Sequence, residues 1–356
     1  MHQLSQSGQR EHGGAETAPL VDFDVEMWSE EPPPWPREAR EITPTVGGIP
    51  SKIQNLIIAT KAQNSLAQAD WLRRYLGPES TVAFAQNGMN KLWPPHGSAY
   101  NRARYCCQRQ GQQYLQNPLW LVCIVMHGVV SLGPFESIHA SPAGVVVGPV
   151  GTDHSSQDVS SSYLVKQLLE APQLNTRYAQ RPELWVLQLE KLVVNSIINP
   201  LTTILRCKNG DLFSGSEDGD TVSRIMDRLI EEASGVFQCL VQYDANSRGI
   251  LEDVSADSSH LLIERLSVPN LGRMLYDVGE VVKDNTSSML QDARMGRTTE
   301  VREFNGWFVD TADYLLGLDD VSAETVDVTY HTALIELVES GTSLTRDQLG
   351  EHLSIG

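Results

Sequence analysis

A lysine and two asparagines recur at four-residue intervals near the middle of the chain, at Lys191, Asn195 and Asn199. An α-helix turns by about 100° per residue, so side chains at this spacing share one narrow face. The residues around them are apolar nearly all the way round such a helix, which is typical of a buried one. An ammonium and two amides inside it must find partners or lose several kcal/mol to desolvation. Two interpretations stay open: a ligand or catalytic site, or a lysine that reaches the surface while the amides bond a neighbouring helix.

Pro200 adds a second polar feature to the same predicted helix. Because proline has no N–H, the carbonyl of Ser196 loses the partner that would lie four residues further on. We therefore expect a kink at this point, together with an unpaired backbone oxygen close to the polar stripe.

Further polar candidates follow two predicted strands. Asn87 and Gly88 come directly after the apolar segment 81–86, and Lys61 follows the segment 55–60. The carboxyl ends of parallel strands line the ligand crevice of open α/β sheets, so these residues are placed where ligands bind. Taken alone, a tight Asn-Gly turn and a solvated loop lysine are the simpler explanations.

Two polar residues in the last third of the chain open predicted helices. Ser288 and Gln291 have the spacing of a capping box, which predicts Ser288 as a helix N-cap. Glu300 begins the next predicted helix, where a carboxylate interacts favourably with the helix dipole. Both residues are thus explained without a ligand.

The order of predicted elements divides the chain into an α/β part and a helical part. Segments 55–60 and 81–86 are short, apolar and rich in β-branched residues, which is typical of buried parallel strands, and the segment 65–76 has helical periodicity. Together they form a βαβ unit. Further strands are predicted at 21–27, 119–131 and 144–149. Helices are predicted at 157–171, 183–206, 219–233, 258–283, 288–295, 298–317 and 324–339.

The overall charge limits the classes of partner. The chain has 356 residues, with 27 basic and 45 acidic side chains and a formal net charge of −18. That field repels phosphate backbones and anionic lipid, so we expect neither nucleic acid nor a membrane surface as a partner. The longest apolar run, residues 119–126, is shorter than the about 20 residues that a membrane-spanning helix needs.

The cysteines and histidines show no metal-binding pattern. The five cysteines include no Cys-x-x-Cys pair and no disulfide framework, and the histidines are scattered. We therefore predict no metal site. With no signal-peptide pattern at the start, the expected location is the cytoplasm, with mitochondria as the alternative.

Three stretches of the sequence resemble the ketopantoate reductase (2-dehydropantoate 2-reductase) family, especially its fungal members. They are residues 55–90 (NLIIATKAQNS…TVAFAQNGMN), 191–213 (KLVVNSIINPLTTILRCKNGDLF) and 285–308 (NTSSMLQDARMGRTTEVREFNGWF). Their order and separation also match, and the resemblance covers about residues 50–340.

The resemblance implies an α/β plus all-α fold. A Rossmann-type dinucleotide-binding domain is expected at 1–153 and a helical domain of the 6-phosphogluconate-dehydrogenase-like type at 154–342, followed by a tail at 343–356. It also implies NADPH as cofactor and a small 2-oxo acid as substrate, on the route to pantothenate and coenzyme A. The oligomeric state stays open, with a homodimer as one alternative.

The same resemblance assigns roles to the candidate residues. Lys191 is the implied general acid that protonates the ketone oxygen, which agrees with the stabilisation that a buried ammonium gives to a forming alkoxide. Glu300 is implied to help hold the substrate hydroxyl or an active-site water. The implied ligands of the hydroxy acid are Asn195, Asn199, Asn285 and Ser288. The implied cofactor contacts are Lys61, Asn64 and Asn87, although the family usually has glutamine at the position of Asn64.

The sequence departs from the family pattern at its start. No Gly-x-Gly-x-x-Gly occurs anywhere in the chain, although such glycines let a backbone approach a pyrophosphate at a helix N-terminus. We therefore expect an N-terminally incomplete Rossmann-type domain. Two functions remain open: a reductase of a 2-oxo acid, or a catalytically inactive homologue that serves as a binding or oligomerisation module.

Overall fold

The computed structural model describes residues 45–46, 49–50, 52–109, 112–133, 136–151, 159–214, 220–318, 321–322 and 326–353. The chain divides into two compact units, residues 1–51 and 52–356. In the first unit, strands β1 (Thr45–Val46) and β2 (Ile49–Pro50) pair antiparallel. The predicted strand at 21–27 and the expected domain boundary at 153/154 lie outside the described residues.

The second unit contains a five-stranded sheet and two hairpins. Its strands are β3 (Asn55–Ile58), β4 (Thr81–Phe84), β5 (Cys106–Arg109), β6 (Gln112–Leu115), β7 (Leu119–Val125), β8 (Gly128–Gly133), β9 (Glu136–Ser141), β10 (Val145–Pro149) and β11 (Thr176–Tyr178). The sheet has the order β11-β10-β7-β4-β3, and β5-β6 and β8-β9 form the hairpins. Strands β3, β4 and β7 are parallel, whereas β10 runs antiparallel to β7.

Helices make up most of the chain after the sheet. They are α1 (Ala62–Trp71), α2 (Gly97–Tyr105), α3 (Tyr163–Glu170), α4 (Arg181–Leu205), α5 (Thr221–Tyr243), α6 (Ala245–Leu251), α7 (Ala256–Glu264), α8 (Val268–Val281), α9 (Ser288–Arg294), α10 (Val301–Leu316), α11 (Thr329–Glu339) and α12 (Arg346–His352), the last within the segment expected to be a tail. None of these described helices is long and apolar enough to span a membrane. The expected fold class, an α/β part followed by a helical part, is confirmed.

The predicted βαβ unit is present as β3, α1 and β4, but its two strands differ in burial. All four residues of β4 are buried. In β3 only Ile58 is buried, and Ile57 is 49% exposed. The prediction of a buried strand is therefore wrong for β3, because β3 lies at the edge of the described sheet, where no further strand covers it.

The segment 119–131 forms two strands rather than the single one predicted. The chain leaves the sheet after Val125, and β8 then pairs with β9 in a separate hairpin. His127 fixes this turn, since its Nε2 donates to the Leu174 carbonyl and its Nδ1 accepts from the Ala143 N–H. Hydrophobicity alone did not indicate the break, because the valines and leucine of β8 continue the apolar character of β7.

The predicted helix 258–283 is likewise two helices, α7 and α8. Ser267 occupies the N-cap position of α8, and Pro269 lies in its first turn. Proline is favoured at a helix start, where its missing N–H has no intrahelical partner in any case, and it interrupts a continuous helix at the preceding turn.

Helix α4 passes through Pro200 without ending there. The Ser196 carbonyl that proline leaves unpaired accepts a hydrogen bond of 2.8 Å from Nδ2 of Asn305 on α10. Asn305 is fully buried, and its Nδ2 also lies 3.0 Å from Nδ1 of His331 on α11. A side chain from a neighbouring helix thus replaces the backbone donor that Pro200 lacks.

We expect Asn305→Leu to lower the free energy of unfolding by about 1–3 kcal/mol, the range for leaving a buried polar group unpaired. The loss should be smaller in a Pro200→Ala background, because residue 200 then supplies a backbone N–H to Ser196. A double-mutant cycle by urea unfolding measures this coupling, and the lost contact with His331 cancels in the cycle. Equal losses in both backgrounds would show that Asn305 does not compensate for Pro200.

Candidate active site

Lys191 lies on α4, facing the ends of two strands of the sheet. Its Nζ donates to the backbone carbonyl of Val125, the last residue of β7, at 2.6 Å. The same Nζ donates to Oδ1 of Asn87, just beyond β4, at 3.1 Å. The parallel strands β4 and β7 therefore place two oxygen acceptors at their carboxyl ends, and α4 brings a single ammonium to both.

Burial lowers the pKa of Lys191 to about 8, because the ammonium form loses its hydration. The negative charge of Glu300 opposes this effect and raises the pKa. A lysine with a pKa near neutrality is still mostly protonated at pH 7, yet it gives up its proton far more readily than a solvated lysine.

The Asn87-Gly88 turn contacts both α4 and α10. Gly88 has a φ of +76°, in the left-handed region that favours glycine. A Cβ at this position would lie 2.9 Å from the backbone oxygen of Glu303 and 3.3 Å from the ring of Phe304. The turn therefore needs glycine both for its backbone conformation and for its close approach to α10.

Glu300 bonds to the α/β part of the molecule. Its Oε1 accepts from the N–H of Ala62, the first residue of α1, and its Oε2 accepts from Nζ of Lys61, both at 3.0 Å. Glu300 occupies the N-cap position of α10, but its side chain makes no capping bond there. The helix-dipole argument thus applies to α1 rather than to the helix that Glu300 opens.

Asp292 on α9 completes this ion-pair network. Its Oδ2 lies 2.6 Å from Nζ of Lys61, and both acids are almost fully buried, whereas the lysine side chain is 38% exposed. Burial lowers the pKa of Lys61, but the hydrogen bonds and charges of Asp292 and Glu300 together raise it above its ordinary value. Lys61 is therefore a fixed cation shared by two carboxylates.

The polar stripe on α4 supports a ligand site over the alternative of a surface lysine. Lys191 points to the strand ends rather than to bulk water. Asn195 has a buried Nδ2 without a protein partner, and Asn199 is buried. Because no neighbouring helix among the described residues offers an acceptor to Nδ2 of Asn195, this donor is available to a polar ligand.

Three of the predicted site residues are exposed rather than buried with these side chains. Asn64, Asn285 and Ser288 are exposed, and in the described part of the chain no side-chain bond links them to Lys191 or Glu300. The prediction of Ser288 as an N-cap is wrong by one residue. Ser287 caps α9 by accepting from the Leu290 N–H. Its hydroxyl also bonds Thr202 of α4 at 2.7 Å, which fixes where α9 begins.

Sequence reasoning missed two side chains near the site, Asp292 and Gln188. Asp292 lies eight residues before Glu300 in a stretch whose polar residues were assigned to the substrate or to a cap. Gln188 lies three residues before Lys191, so extending the polar stripe by one turn would have included it. The sequence could not predict the role of the Val125 carbonyl, because every residue has a backbone carbonyl whatever its side chain.

Two further polar atoms lie unpartnered near the strand ends. Oγ1 of Thr60, two residues beyond β3, and Oε1 of Gln86, two residues beyond β4, are buried without a protein partner. Both oxygens can accept hydrogen bonds from a polar ligand at the carboxyl end of the sheet. With Lys191, the arrangement can bind a polar molecule and deliver a proton to it.

Residues 31–152 match the sequence profile described as "Ketopantoate reductase PanE/ApbA", and residues 183–339 match "Ketopantoate reductase PanE/ApbA C terminal". The chain belongs to the ketopantoate reductase family. It is therefore an oxidoreductase by family, as the resemblance predicted. The two matched regions correspond to the α/β part and the helical part.

Several named relatives cover most of the chain. The ketoisovalerate reductase of Beauveria bassiana is 37% identical over 96% of this chain and 74% of that protein. The ketoisovalerate reductase BEA2 of Gibberella fujikuroi is 38% identical over 93% of this chain and 72% of that protein. A probable 2-dehydropantoate 2-reductase of Schizosaccharomyces pombe is 28% identical over 73% of this chain and 69% of that protein.

Solved structures share the fold at low sequence identity. A probable 2-dehydropantoate 2-reductase from Bacillus subtilis has a TM-score of 0.51 at 21% identity, covering 82% of this chain and 79% of that one. A D-mandelate dehydrogenase solved with NADH and anilino(oxo)acetate has a TM-score of 0.55 at 16% identity, covering 86% of this chain and 78% of that one. These likenesses confirm the fold expected for the family.

We expect Gly88→Ala to lower the free energy of unfolding by at least about 1 kcal/mol more than Gly296→Ala does. Both glycines have positive φ, but a Cβ at Gly296 would have no atom within 4 Å. The difference between the two variants therefore isolates the contact with α10, and urea unfolding measures it. Equal losses would show that the turn can move away from α10 without cost.

Proposed function

We propose that this member of the ketopantoate reductase family reduces a short branched 2-oxo acid to the 2-hydroxy acid with NADPH. The observation that carries the proposal is the buried ammonium of Lys191, which lies at the carboxyl ends of β4 and β7 beside unpartnered polar atoms. Such a group suits a reaction in which negative charge develops on a ketone oxygen.

Lys191 is the proton donor in this proposal. A reduced nicotinamide, when bound, would supply the hydride that the carbonyl carbon accepts. Nζ of Lys191 transfers a proton to the carbonyl oxygen, which completes the hydroxyl, and the resulting neutral amine recovers a proton from water. Because the pKa of Lys191 is about 8, the ammonium is available at neutral pH and is a stronger acid than an ordinary lysine.

The other polar groups have binding roles. Nδ2 of Asn195 is a buried donor that lacks an acceptor, which suits a substrate oxygen, and Asn199 lies one turn further along the same face. Glu300 is fixed by Ala62 and Lys61 and keeps negative charge close to Lys191. That charge favours the protonated form of the lysine before each turnover.

The residues at the strand ends fit the reacting end of a nicotinamide cofactor. Asn87 lies three residues beyond β4, and the unpartnered oxygens of Thr60 and Gln86 lie on the same edge of the sheet. These are polar groups for the carboxamide and ribose. The described residues contain no glycine-rich turn for the pyrophosphate, so these polar groups bind the nicotinamide end of the cofactor. Binding and turnover are to be compared between NADPH and NADH.

Sequence identity favours ketoisovalerate over ketopantoate as the substrate. The two relatives named as ketoisovalerate reductases are 37% and 38% identical, whereas the Schizosaccharomyces pombe relative named as a probable 2-dehydropantoate 2-reductase is 28% identical. The two acids differ by one hydroxymethyl group. We therefore propose a higher kcat/KM for ketoisovalerate, with ketopantoate as the competing substrate.

We expect Lys191→Ala to lower kcat by about 10²-fold or more, the usual effect of losing a general acid. The exposed Lys166 on α3 provides a matched control, since Lys166→Ala removes a lysine charge without touching the site. The assay follows NADPH oxidation with ketoisovalerate and ketopantoate, and circular dichroism checks the fold of both variants.

An unchanged kcat in Lys191→Ala would contradict the role of the lysine. A fluorescence titration with NADPH and NADH tests the alternative of an inactive homologue. Saturable binding together with turnover supports the reductase. No binding at millimolar cofactor, in a chain that is folded, would favour a binding or oligomerisation module.

A further inference from the structure

Gln188 bonds the Asn87-Gly88 turn to the helix that carries Lys191. It lies on α4 three residues before the lysine and is only 4% exposed. Its Nε2 donates to the Gly88 carbonyl at 2.9 Å, and its Oε1 accepts from Nε1 of Trp93 at 2.7 Å. Both ends of the amide are therefore occupied by the segment that follows β4.

This segment has little room to move. Trp93 is 1% exposed and belongs to the main hydrophobic core. On its other side the turn approaches α10 so closely that a Cβ on Gly88 would lie 2.9 Å from a backbone oxygen. Gln188 thus links the buried indole of Trp93 to the turn through one hydrogen bond to each.

We propose that Gln188 is a positioning residue that keeps Asn87 within hydrogen-bonding distance of Lys191, an inference that rests on the proposed function. Gln188 and Lys191 are less than one helical turn apart on α4, so one rigid element fixes the Gly88 carbonyl and presents the ammonium to Oδ1 of Asn87. Neither bond of Gln188 involves the ligand crevice directly. Its contribution to the reaction is made through Asn87.

The hydrogen bond between Lys191 and Asn87 depends on the position of the Asn87-Gly88 turn. The Lys191–Asn87 bond is 3.1 Å long, so a displacement of the turn by about 1 Å breaks it. The ammonium would keep its shorter bond to Val125 and lose the contact that faces β4. A misplacement of that size in a reacting assembly lowers the rate by up to about 10²-fold.

The test compares two variants that share one change. Trp93→Phe removes the indole donor, so that Gln188 keeps only its bond to Gly88. The double variant Gln188→Met, Trp93→Phe removes that remaining bond without leaving a buried indole N–H unpaired. Ser234→Ala is the stability control, because it also loses a buried side-chain bond to a backbone carbonyl, that of Leu266, away from the turn.

The double variant is expected to have a kcat about 10-fold below that of Trp93→Phe, while KM for the 2-oxo acid changes by no more than about twofold, because Asn195 and Asn199 are untouched. Amide hydrogen exchange across residues 86–93 should become faster in the double variant and stay unchanged in Ser234→Ala.

Equal kcat in the double variant and Trp93→Phe would overturn the positioning role, even where the exchange is faster. Unchanged exchange would show that Gln188 does not hold the turn. A parallel fall of kcat in Ser234→Ala would assign the effect to general destabilisation and overturn the proposal as well. The activity of the unaltered chain tests the proposed function separately. If the unaltered chain reduces no 2-oxo acid, the proposed function fails, and hydrogen exchange still shows whether Gln188 holds the turn.

Discussion

The ammonium of Lys191 is held between the helical part and the sheet, where burial disfavours its charge. The Val125 carbonyl and Oδ1 of Asn87 bind it directly, and the negative charge of Glu300 acts on it without a direct bond. This balance lowers the pKa enough to make an effective acid while leaving the proton in place at neutral pH. The positions of α4, β4 and β7 are all needed to maintain it.

Helix α4 combines the stability and the chemistry of the molecule. Most of its surface packs in the core, yet Gln188 and Lys191 on it bond the segments that follow β4 and β7. The proline in its C-terminal half leaves a carbonyl unpaired, and Asn305 supplies the missing donor. Because Glu300 is the N-cap residue of α10 and Asn305 lies on it, the same helix supports α4 and places the carboxylate beside α1.

The sequence predicted what depends on local pattern. Periodicity located β4 and α4, and four-residue spacing placed Lys191, Asn195 and Asn199 on one face. The rule that ligands bind at the carboxyl ends of parallel strands made Asn87 a candidate ligand residue, and the structure shows that it bonds the lysine. The family resemblance supplied the roles of these residues, which their spacing alone left open.

What the sequence did not predict depends on contacts between distant segments. Glu300 looked like a dipole partner of its own helix, but its carboxylate accepts from the first N–H of α1, 238 residues away in the chain. Ser287 displaced Ser288 as the cap because a hydroxyl on α4 bonds it. The strand β3 looked buried because its residues are apolar, while burial also requires a neighbouring strand. Each of these outcomes depends on a partner far away in the chain.

The titration of Lys191 itself tests the account most directly. The Nζ resonances of ¹⁵N-lysine-labelled protein can be followed by NMR as a function of pH, and the Lys191 signal is identified by its absence in Lys191→Ala. We predict a pKa of about 8 for this lysine, so that its acidic form is lost as the pH rises through that value. A titration at the ordinary lysine value of 10.5 would show a solvated ammonium and contradict the account.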